Sequence, residues 1–217
     1  MKQIVTAALS LAFLFNVTTS AAQSGKNSSS ANAPGAHCFD ENSKILNLGV
    51  GFGGSYYRYA RGHGYSYRRT PAFSLTYEQA LKEKVGPGFI GLGAYLGFQS
   101  ARFRYDDYYY NGNQYYYQHR WNYFVVAARG AYHLDVLNVD NAELYFGAIA
   151  GLRIQTYRYE TNSEDPYRDR YSLGQRNVYP ALSLFAGGRW YFKPNMGLFA
   201  EIGYGISYLT LGLSFKL

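Results

Sequence analysis

The sequence is poor in cysteine and in long apolar runs, and each shortage excludes a class of protein. Of its 217 residues one is a cysteine, Cys38, so an internal disulfide is excluded and stability must come from another source. No apolar run reaches the ~20 residues that a transmembrane helix needs, which excludes a helical membrane protein. Acidic residues are fewer than basic ones, 14 against 21, and the formal net charge is +7. This excess permits nucleic acid or an anionic lipid surface as a partner and does not choose between them.

The N-terminus has the pattern of an export signal. A basic start precedes an apolar stretch over 5–17, and small residues follow up to Ala22. These three parts are typical of a secretory signal peptide with its cleavage site. We therefore predict a signal peptide over 1–22, a flexible linker over 23–44 and one folded domain over 45–217. Export separates the mature chain from nucleic acid, so no nucleic-acid partner is expected.

Tyrosine and glycine are what the sequence has in quantity, 25 and 24 residues respectively. The segment 89–98, FIGLGAYLGF, alternates large apolar residues with small or semi-polar ones, and a period of two predicts a β-strand with one apolar face. The same alternation predicts eight strands, over 45–59, 71–83, 88–105, 119–135, 142–159, 177–193, 197–205 and 208–217. Short turns alternate with long loops near 60–70, 106–118 and 160–176, and the last connection is a tight exception. Short turns at one end and longer loops at the other are the plan of a transmembrane β-barrel.

The two strand faces differ in composition, and this predicts which solvent surrounds the barrel. One face carries Leu, Phe and Val, and the other is narrow and glycine-rich with a few charges. A soluble barrel such as a lipocalin would have to expose the glycine-rich face, although glycine weakens a solvated strand. The interior of a small barrel suits that face, because eight strands leave little internal room. We therefore predict that the apolar face contacts lipid, with Trp190 and Phe192 in an aromatic girdle beside a short turn.

The closing segment 208–217, YLTLGLSFKL, looks like the C-terminal signal that the barrel insertion machinery reads. Together with the signal peptide and the hairpin order, it makes residues 45–217 similar to the small eight-stranded outer-membrane barrels of the OmpA/OmpX-like type, also called the outer membrane protein beta-barrel domain or porin family. Members commonly end in an aromatic residue, whereas this chain ends in Leu217 with Phe215 two positions earlier. The resemblance implies an all-β fold, an eight-stranded antiparallel up-and-down transmembrane β-barrel. It also implies export through the periplasm to the outer membrane of a Gram-negative cell. The expected partners are periplasmic chaperones, the insertion machinery, membrane lipid and lipopolysaccharide.

Charged residues on the narrow face predict an ionic network inside the barrel. Extending the alternation along each strand points Lys216 inward at a strand end, together with five further residues: Glu78, Arg129, Arg153, Arg189 and Glu201. Arg189 and Glu201 are nearly symmetric about Asn195, so a three-residue turn would place them directly opposite each other. A base that faced lipid near the midplane would instead cost ~2–4 kcal/mol. We expect the inward charges to pair and to plug the lumen.

The long loops predict an external surface rich in tyrosine and arginine. Seven tyrosines lie within 105–117, around the turn signal Asn111-Gly112. The predicted interaction surface consists of Arg58, Arg61, Arg68, Arg69, Tyr108, Tyr109, Tyr110, Tyr115, Tyr116 and Tyr117. Two interpretations of the rings remain open: they form the girdle and cross-strand pairs of protruding hairpins, or they bind a glycan or protein at the cell surface. The four arginines have the chemistry to grip lipopolysaccharide phosphates.

The leading functional prediction is a structural or surface-interaction protein of the outer membrane. The alternatives are a narrow passive pore for small solutes and a barrel enzyme that modifies lipid A. The histidines that an enzyme could use are His63, His119 and His133, and they form no recognisable constellation with serine or acids. We therefore predict no enzyme activity, no catalytic residue, no metal site and no cofactor.

Overall fold

The computed structural model describes residues 38–54, 65–110, 112–134, 141–162 and 174–217. The predictions made for the signal peptide, the linker up to 37, Arg58, Arg61, His63 and Asn111 lie outside these residues, as do the side chains of Tyr108 and Tyr110. The strands are β1 (Lys44–Phe52), β2 (Tyr65–Arg69), β3 (Ala72–Val85), β4 (Gly88–Tyr110), β5 (Asn113–Leu134), β6 (Ala142–Thr161), β7 (Gln175–Lys193), β8 (Met196–Gly203) and β9 (Leu209–Lys216). No helix in the described ranges has the length and apolar character to cross a membrane.

Eight of these strands close into one antiparallel barrel. From β3 to β9 each strand pairs with the next along the chain, and β1 pairs with both β3 and β9, which joins the two ends of the sheet. The remaining strand, β2, pairs with the outer half of β4. Thr70 and Pro71 separate it from β3, since proline cannot donate to a strand ladder. The predicted all-β, eight-stranded antiparallel up-and-down barrel is therefore confirmed.

The barrel carries its large apolar residues on the outside. Leu182 and Leu184 are 74% and 73% exposed, and the outward residues of every other barrel strand include exposed Leu, Val, Ile or Phe. The inward positions hold the buried polar residues, among them Asn47 and Glu78. In β6 the apolar outward residues run from Leu144 to Ile154, which matches the ~9–11 residues of a membrane-crossing strand. This is the surface of a barrel that is solvated by lipid.

The predicted loop over 106–118 is instead a continuation of two strands. β4 runs to Tyr110 and β5 begins at Asn113, and these two residues pair around the turn at Gly112, whose φ is 77°. The prediction of a loop over 106–118 is wrong, because aromatic side chains favour strands and here stack across the pair. The predicted loop near 60–70 likewise contains β2. The hairpin therefore rises above the apolar belt as a sheet, which we call the outer extension, formed by β2, the outer halves of β4 and β5, and the end of β6.

The segment 38–43, which the sequence assigns to the linker, packs against the short-turn end of the barrel. Cys38 and Phe39 are buried, and the ring of Phe39 stacks on His133 with centroids 3.6 Å apart. The carbonyl of Ser43 accepts a hydrogen bond from the Ala80 amide at 2.9 Å. These residues pack on the barrel because burial of the apolar Phe39 ring against it is more favourable than exposure of the ring to water.

Candidate functional site

The centre of the lumen is occupied by Arg129 and two carboxylates. Nη2 of Arg129 lies 2.6 Å from Oε1 of Glu201, and Nε of Arg129 lies 3.3 Å from Oε2 of Glu78. The hydroxyl of Tyr145 donates to Glu201 at 2.9 Å, and the guanidinium carbon lies 3.8 Å from the ring centroid of Phe185. One base thus joins acids from two strands, β3 and β8, that are far apart in the chain.

A second set of polar contacts continues the network toward the short turns. The two ring nitrogens of His133 face Glu78 and Glu143, and Arg189 contacts Glu143 from the other side. With His133 protonated, the three carboxylates of the network meet three cationic groups, so charge is balanced across the lumen. From Arg189 the hydrogen bonds go on to Ser214 at 2.9 Å and then through Asn47 to Thr76 at 2.8 Å.

The predicted pairing of Arg189 with Glu201 is wrong. Arg189 pairs with Phe199 across β7 and β8, and Glu201 pairs with Gly187. The connection is a two-residue turn, and a bulge between Tyr191 and Lys193 precedes it; together they move the register by two residues from the symmetric arrangement. Both residues still point inward, because a shift of two preserves the face. The acid that contacts Arg189 is Glu143, which lies directly opposite it on β6.

The other sequence-predicted lumen residues have different surroundings. Arg153 is half-buried nearer the outer end, with its guanidinium carbon 4.8 Å from the Tyr179 ring centroid. Lys216 lies 4.8 Å from the Tyr191 ring. Glu143 and His133 belong to the network although the sequence prediction left them out of it. The signal was available for Glu143, since it has the same parity as inward Tyr145 and precedes the apolar alternation of β6 by one residue.

Buried apolar side chains also lie at both ends of the network. On the short-turn side, Phe39 covers His133. On the other side, Ile206 from the β8–β9 connection is buried beside Tyr95 and Phe185. The cavity between these rings and Glu201 has a volume of about 40 Å³, room for a few water molecules at most.

Glycine on the inner face makes room for this filling. A Cβ atom at Gly187 would lie 2.8 Å from Cγ of Glu201 and 2.9 Å from the Tyr145 ring, closer than carbon atoms normally approach. The network side chains therefore occupy the space that a larger residue would need. This explains why the inner strand face is rich in glycine where it lies opposite large charged side chains.

The inner face of the outer extension is lined by stacked aromatic rings. Ala101, Phe103, Trp121 and Tyr123 form a buried cluster, and three partly buried tyrosines from three strands pack against it: Tyr67, Tyr117 and Tyr157. Burial raises the pKa of the Tyr67 hydroxyl, and nearby Arg69 partly offsets this effect. We call this group of seven residues the aromatic cluster. Some of the tyrosines therefore pack against other aromatic rings across neighbouring strands. This agrees with the interpretation in which the rings form cross-strand pairs of protruding hairpins.

The sequence-predicted surface residues that are described divide between exposed and packed positions. Arg68 is exposed, and Arg69 is half-buried with its Nη1 3.4 Å from the carbonyl oxygen of Gly54. Tyr109 is 63% exposed near the hairpin tip. Tyr115, Tyr116 and Tyr117 are half-buried; the Tyr116 ring lies 4.1 Å from the guanidinium of Arg104, and the Tyr117 ring lies 5.1 Å from that of Tyr105.

His119 is held by rings and not by an acid. Its Nδ1 lies 2.6 Å from the Tyr157 hydroxyl, and its ring stacks on Trp121 at a centroid distance of 5.7 Å. Burial among these rings lowers the pKa of His119 below its ordinary value. Asp106, the acid that the sequence places nearest, is engaged by Arg104 at 2.6 Å. Within the described ranges, no group of three or more His, Cys, Asp or Glu residues is arranged to hold a metal ion.

No family model and no curated protein matches the chain, whereas solved structures of barrels do. A de novo designed transmembrane β-barrel is 13% identical, with a TM-score of 0.41 and coverage of 82% of this chain and 98% of that chain. The N-terminal β-barrel domain of OprF from Pseudomonas aeruginosa is 15% identical, with a TM-score of 0.40 and the same coverage of each chain. Ail, the attachment invasion locus protein of Yersinia pestis, is 12% identical, with a TM-score of 0.39 and coverage of 82% and 96%. The fold itself follows from the strand pairing of the chain. By that pairing the chain is an eight-stranded barrel, and in architecture it is similar to small outer-membrane barrels, as the sequence resemblance implies.

Proposed function

We propose that the protein is an integral outer-membrane barrel with a closed lumen, which acts as a structural and surface-interaction protein through its outer extension. In this proposal the short turns face the periplasm and the extension faces the cell exterior. β9 is the strand that the insertion machinery reads during assembly, and a glycan or protein at the cell surface is the expected partner of the hairpin tip.

The observation that carries the proposal is the filled cross-section of the lumen. Arg129 contacts both Glu78 and Glu201 at its centre, all three side chains are buried, and Phe39 and Ile206 are buried on either side. A continuous water path needs a gap in such a layer, and separating the ions to open one would leave buried charges unpaired. A closed barrel cannot pass solutes, so its outer surface is what remains available for function.

The enzyme alternative has less support from the described residues. Catalysis by His119 would need a nucleophile or an acid in reach of its ring, and its closest polar partner is the Tyr157 hydroxyl. We therefore propose a non-catalytic role. Release of fatty acid from lipid A by the purified protein would contradict it.

Ion conductance tests the closed lumen directly. We expect purified protein in a planar lipid bilayer to show no steady open level, because the ionic network blocks the path. Insertion must be verified in the same membranes, for example by the shift in gel mobility that folded barrels show before heating. A steady conducting level from inserted wild-type protein would contradict the closed lumen and favour the narrow-pore alternative.

A further inference from the structure

A row of arginines crosses four neighbouring strands of the outer extension. Arg68 of β2 pairs with Arg102 of β4, Arg102 pairs with Arg120 of β5, and Arg120 pairs with Arg158 of β6. All four lie on the outward face, because each is adjacent in sequence to a residue of the inward-facing aromatic cluster. We call these four residues the arginine row. Only Arg68 belongs to the surface predicted from the sequence, since the other three become neighbours through strand register.

The arginine row lies on the outer side of the lipid-facing belt, with one outward-facing row between them. The last apolar row of the belt consists of Phe98, Phe124 and Ile154, which are neighbours in the same register. On β4, β5 and β6 the arginine is four residues further along its strand, about 13 Å of strand and about 10 Å along the membrane normal at the usual tilt. Arginine side chains are long enough to reach back toward the interface, so the guanidinium groups can lie at the level of lipid headgroups.

The row keeps an excess of positive charge. Like charges that are directly opposite on neighbouring strands destabilise a sheet, and here three such pairs follow one another. Among the described acids close to the row, Glu160 accepts a hydrogen bond from Gln118 at 2.7 Å and lies 4.0 Å from Arg158, and Asp106 is engaged by Arg104. An anionic partner from outside the barrel would offset the repulsion that remains.

We propose that the arginine row binds the phosphorylated headgroup of a lipid in the outer leaflet. Guanidinium groups match phosphate oxygens with two parallel hydrogen bonds and are the preferred side chains for this anion. Neighbouring strands are about 4.8 Å apart, so the row spans about 15 Å and can contact a headgroup with more than one phosphate. A lipid fits better than a soluble anion, because its acyl chains can lie on the belt below while its phosphates contact the row. The site rests on the proposed function, which places the extension on the outer-leaflet side.

Lipid binding by reconstituted protein tests the site. Wild-type barrel in phosphatidylcholine nanodiscs is titrated with lipid A that carries two phosphates, and bound lipid per barrel is counted by native mass spectrometry. We expect Arg102→Gln/Arg120→Gln to bind this lipid about tenfold more weakly or worse, since two charge-assisted phosphate contacts from half-buried arginines are lost. The matched control is Lys82→Gln/Lys193→Gln, which removes the same charge from exposed positions at the opposite end and should bind like the wild type.

Three outcomes overturn the proposal. Equal affinity of the wild type and Arg102→Gln/Arg120→Gln would remove the row from the site. Equal affinity of the wild type for dephosphorylated lipid A would remove phosphate as the recognised group. Equally tight binding of a phosphorylated disaccharide without acyl chains would make the ligand a soluble anion. Gel mobility and conductance are measured on the same preparations, so a conducting barrel would count against the closed lumen and leave the affinity comparison to decide the arginine row.

Discussion

At the scale of single residues, Arg129 has the most demanding position in the barrel. It is 1% exposed and faces two carboxylates, Glu78 and Glu201, from different strands. A buried base of this kind is tolerated because it donates hydrogen bonds to acids, and the buried acids are tolerated because they accept hydrogen bonds from a base. Removal of Arg129 therefore leaves Glu201 without a basic partner and Glu78 with His133 alone, whereas removal of Glu201 leaves Arg129 with one acid.

We expect Arg129→Ala to destabilise the folded barrel by about 3–5 kcal/mol, because breaking a buried pair leaves unpaired charge inside. Glu201→Ala should cost less, since Arg129 keeps Glu78. The free energy of unfolding is measured from urea transitions of protein in lipid vesicles. Arg153→Ala is the matched control, because it removes a half-buried lumen arginine outside the network and should cost about 1 kcal/mol or less. Equal urea midpoints for Arg129→Ala and Arg153→Ala would show that the network does not stabilise the fold.

Residue alternation predicts the side of the barrel wall better than it predicts partners. The face of Glu78, Arg129, Arg189 and Glu201 follows from a period of two along each strand, and in the structure all four lie inside. Their partners depend on register, which the β7–β8 bulge changes by two residues. The Glu143–Arg189 contact also depends on the register between β6 and β7. The connection between these strands is long, and its sequence has no regular alternation from which a register could be predicted. Local pattern cannot supply that information.

At the scale of elements, the outer extension is a sheet with two different faces. Its inward face holds the aromatic cluster and its outward face holds the arginine row. The sequence predicts a loop over 106–118 because tyrosine-rich, polar stretches resemble external loops. The rings instead satisfy one another across strands, which stabilises pairing well beyond the apolar belt. This part of the fold was therefore predicted in place and in composition, although its secondary structure was not.

His119 makes the stability of the outer extension depend on pH. Its pKa is lowered from 6.5 by burial, so between the two values the unfolded extension binds more protons than the folded one. The stabilisation that depends on neutral His119 is therefore fully present above the pKa of the unfolded state, and it decreases as pH falls below that pKa. We expect amides around His119 to open more readily at pH near 5 than at pH near 7, measured by hydrogen exchange after correction for intrinsic rates.

A variant without a titrating ring separates this effect from a general response to acid. In His119→Phe the pH dependence of local opening around position 119 should disappear, because phenylalanine keeps the ring packing and carries no proton. Amides of the apolar belt in the same sample provide the internal reference. A pH dependence that is unchanged in His119→Phe would assign the effect to another group.

At the scale of the whole molecule, closure of the barrel depends on how closely its first and last strands approach. β1 and β9 pair along their full length, and Gly49 lies directly opposite Gly212 in the middle of this seam. A Cβ atom at Gly212 would collide with the carbonyl oxygen of Leu48 and lie 2.6 Å from the Phe199 ring. The first of these atoms belongs to the backbone and the second to a packed ring, so neither can move aside at low energetic cost.

We expect Gly212→Val to prevent closure, so that the protein loses its resistance to SDS. Unheated wild-type protein should migrate anomalously on an SDS gel and shift on boiling, because a closed barrel has no free strand edge at which detergent can begin to unfold it. Gly212→Val should show one band that heating does not change, since the collision separates the strands that close the barrel. Leu211→Val is the matched control: it changes the neighbouring residue on the lipid-facing side, which is 45% exposed, and should keep the heat-dependent shift. Loss of the shift in both variants would trace the effect to β9 as a strand, and its retention in Gly212→Val would show that the seam tolerates a side chain and that closure does not depend on this glycine.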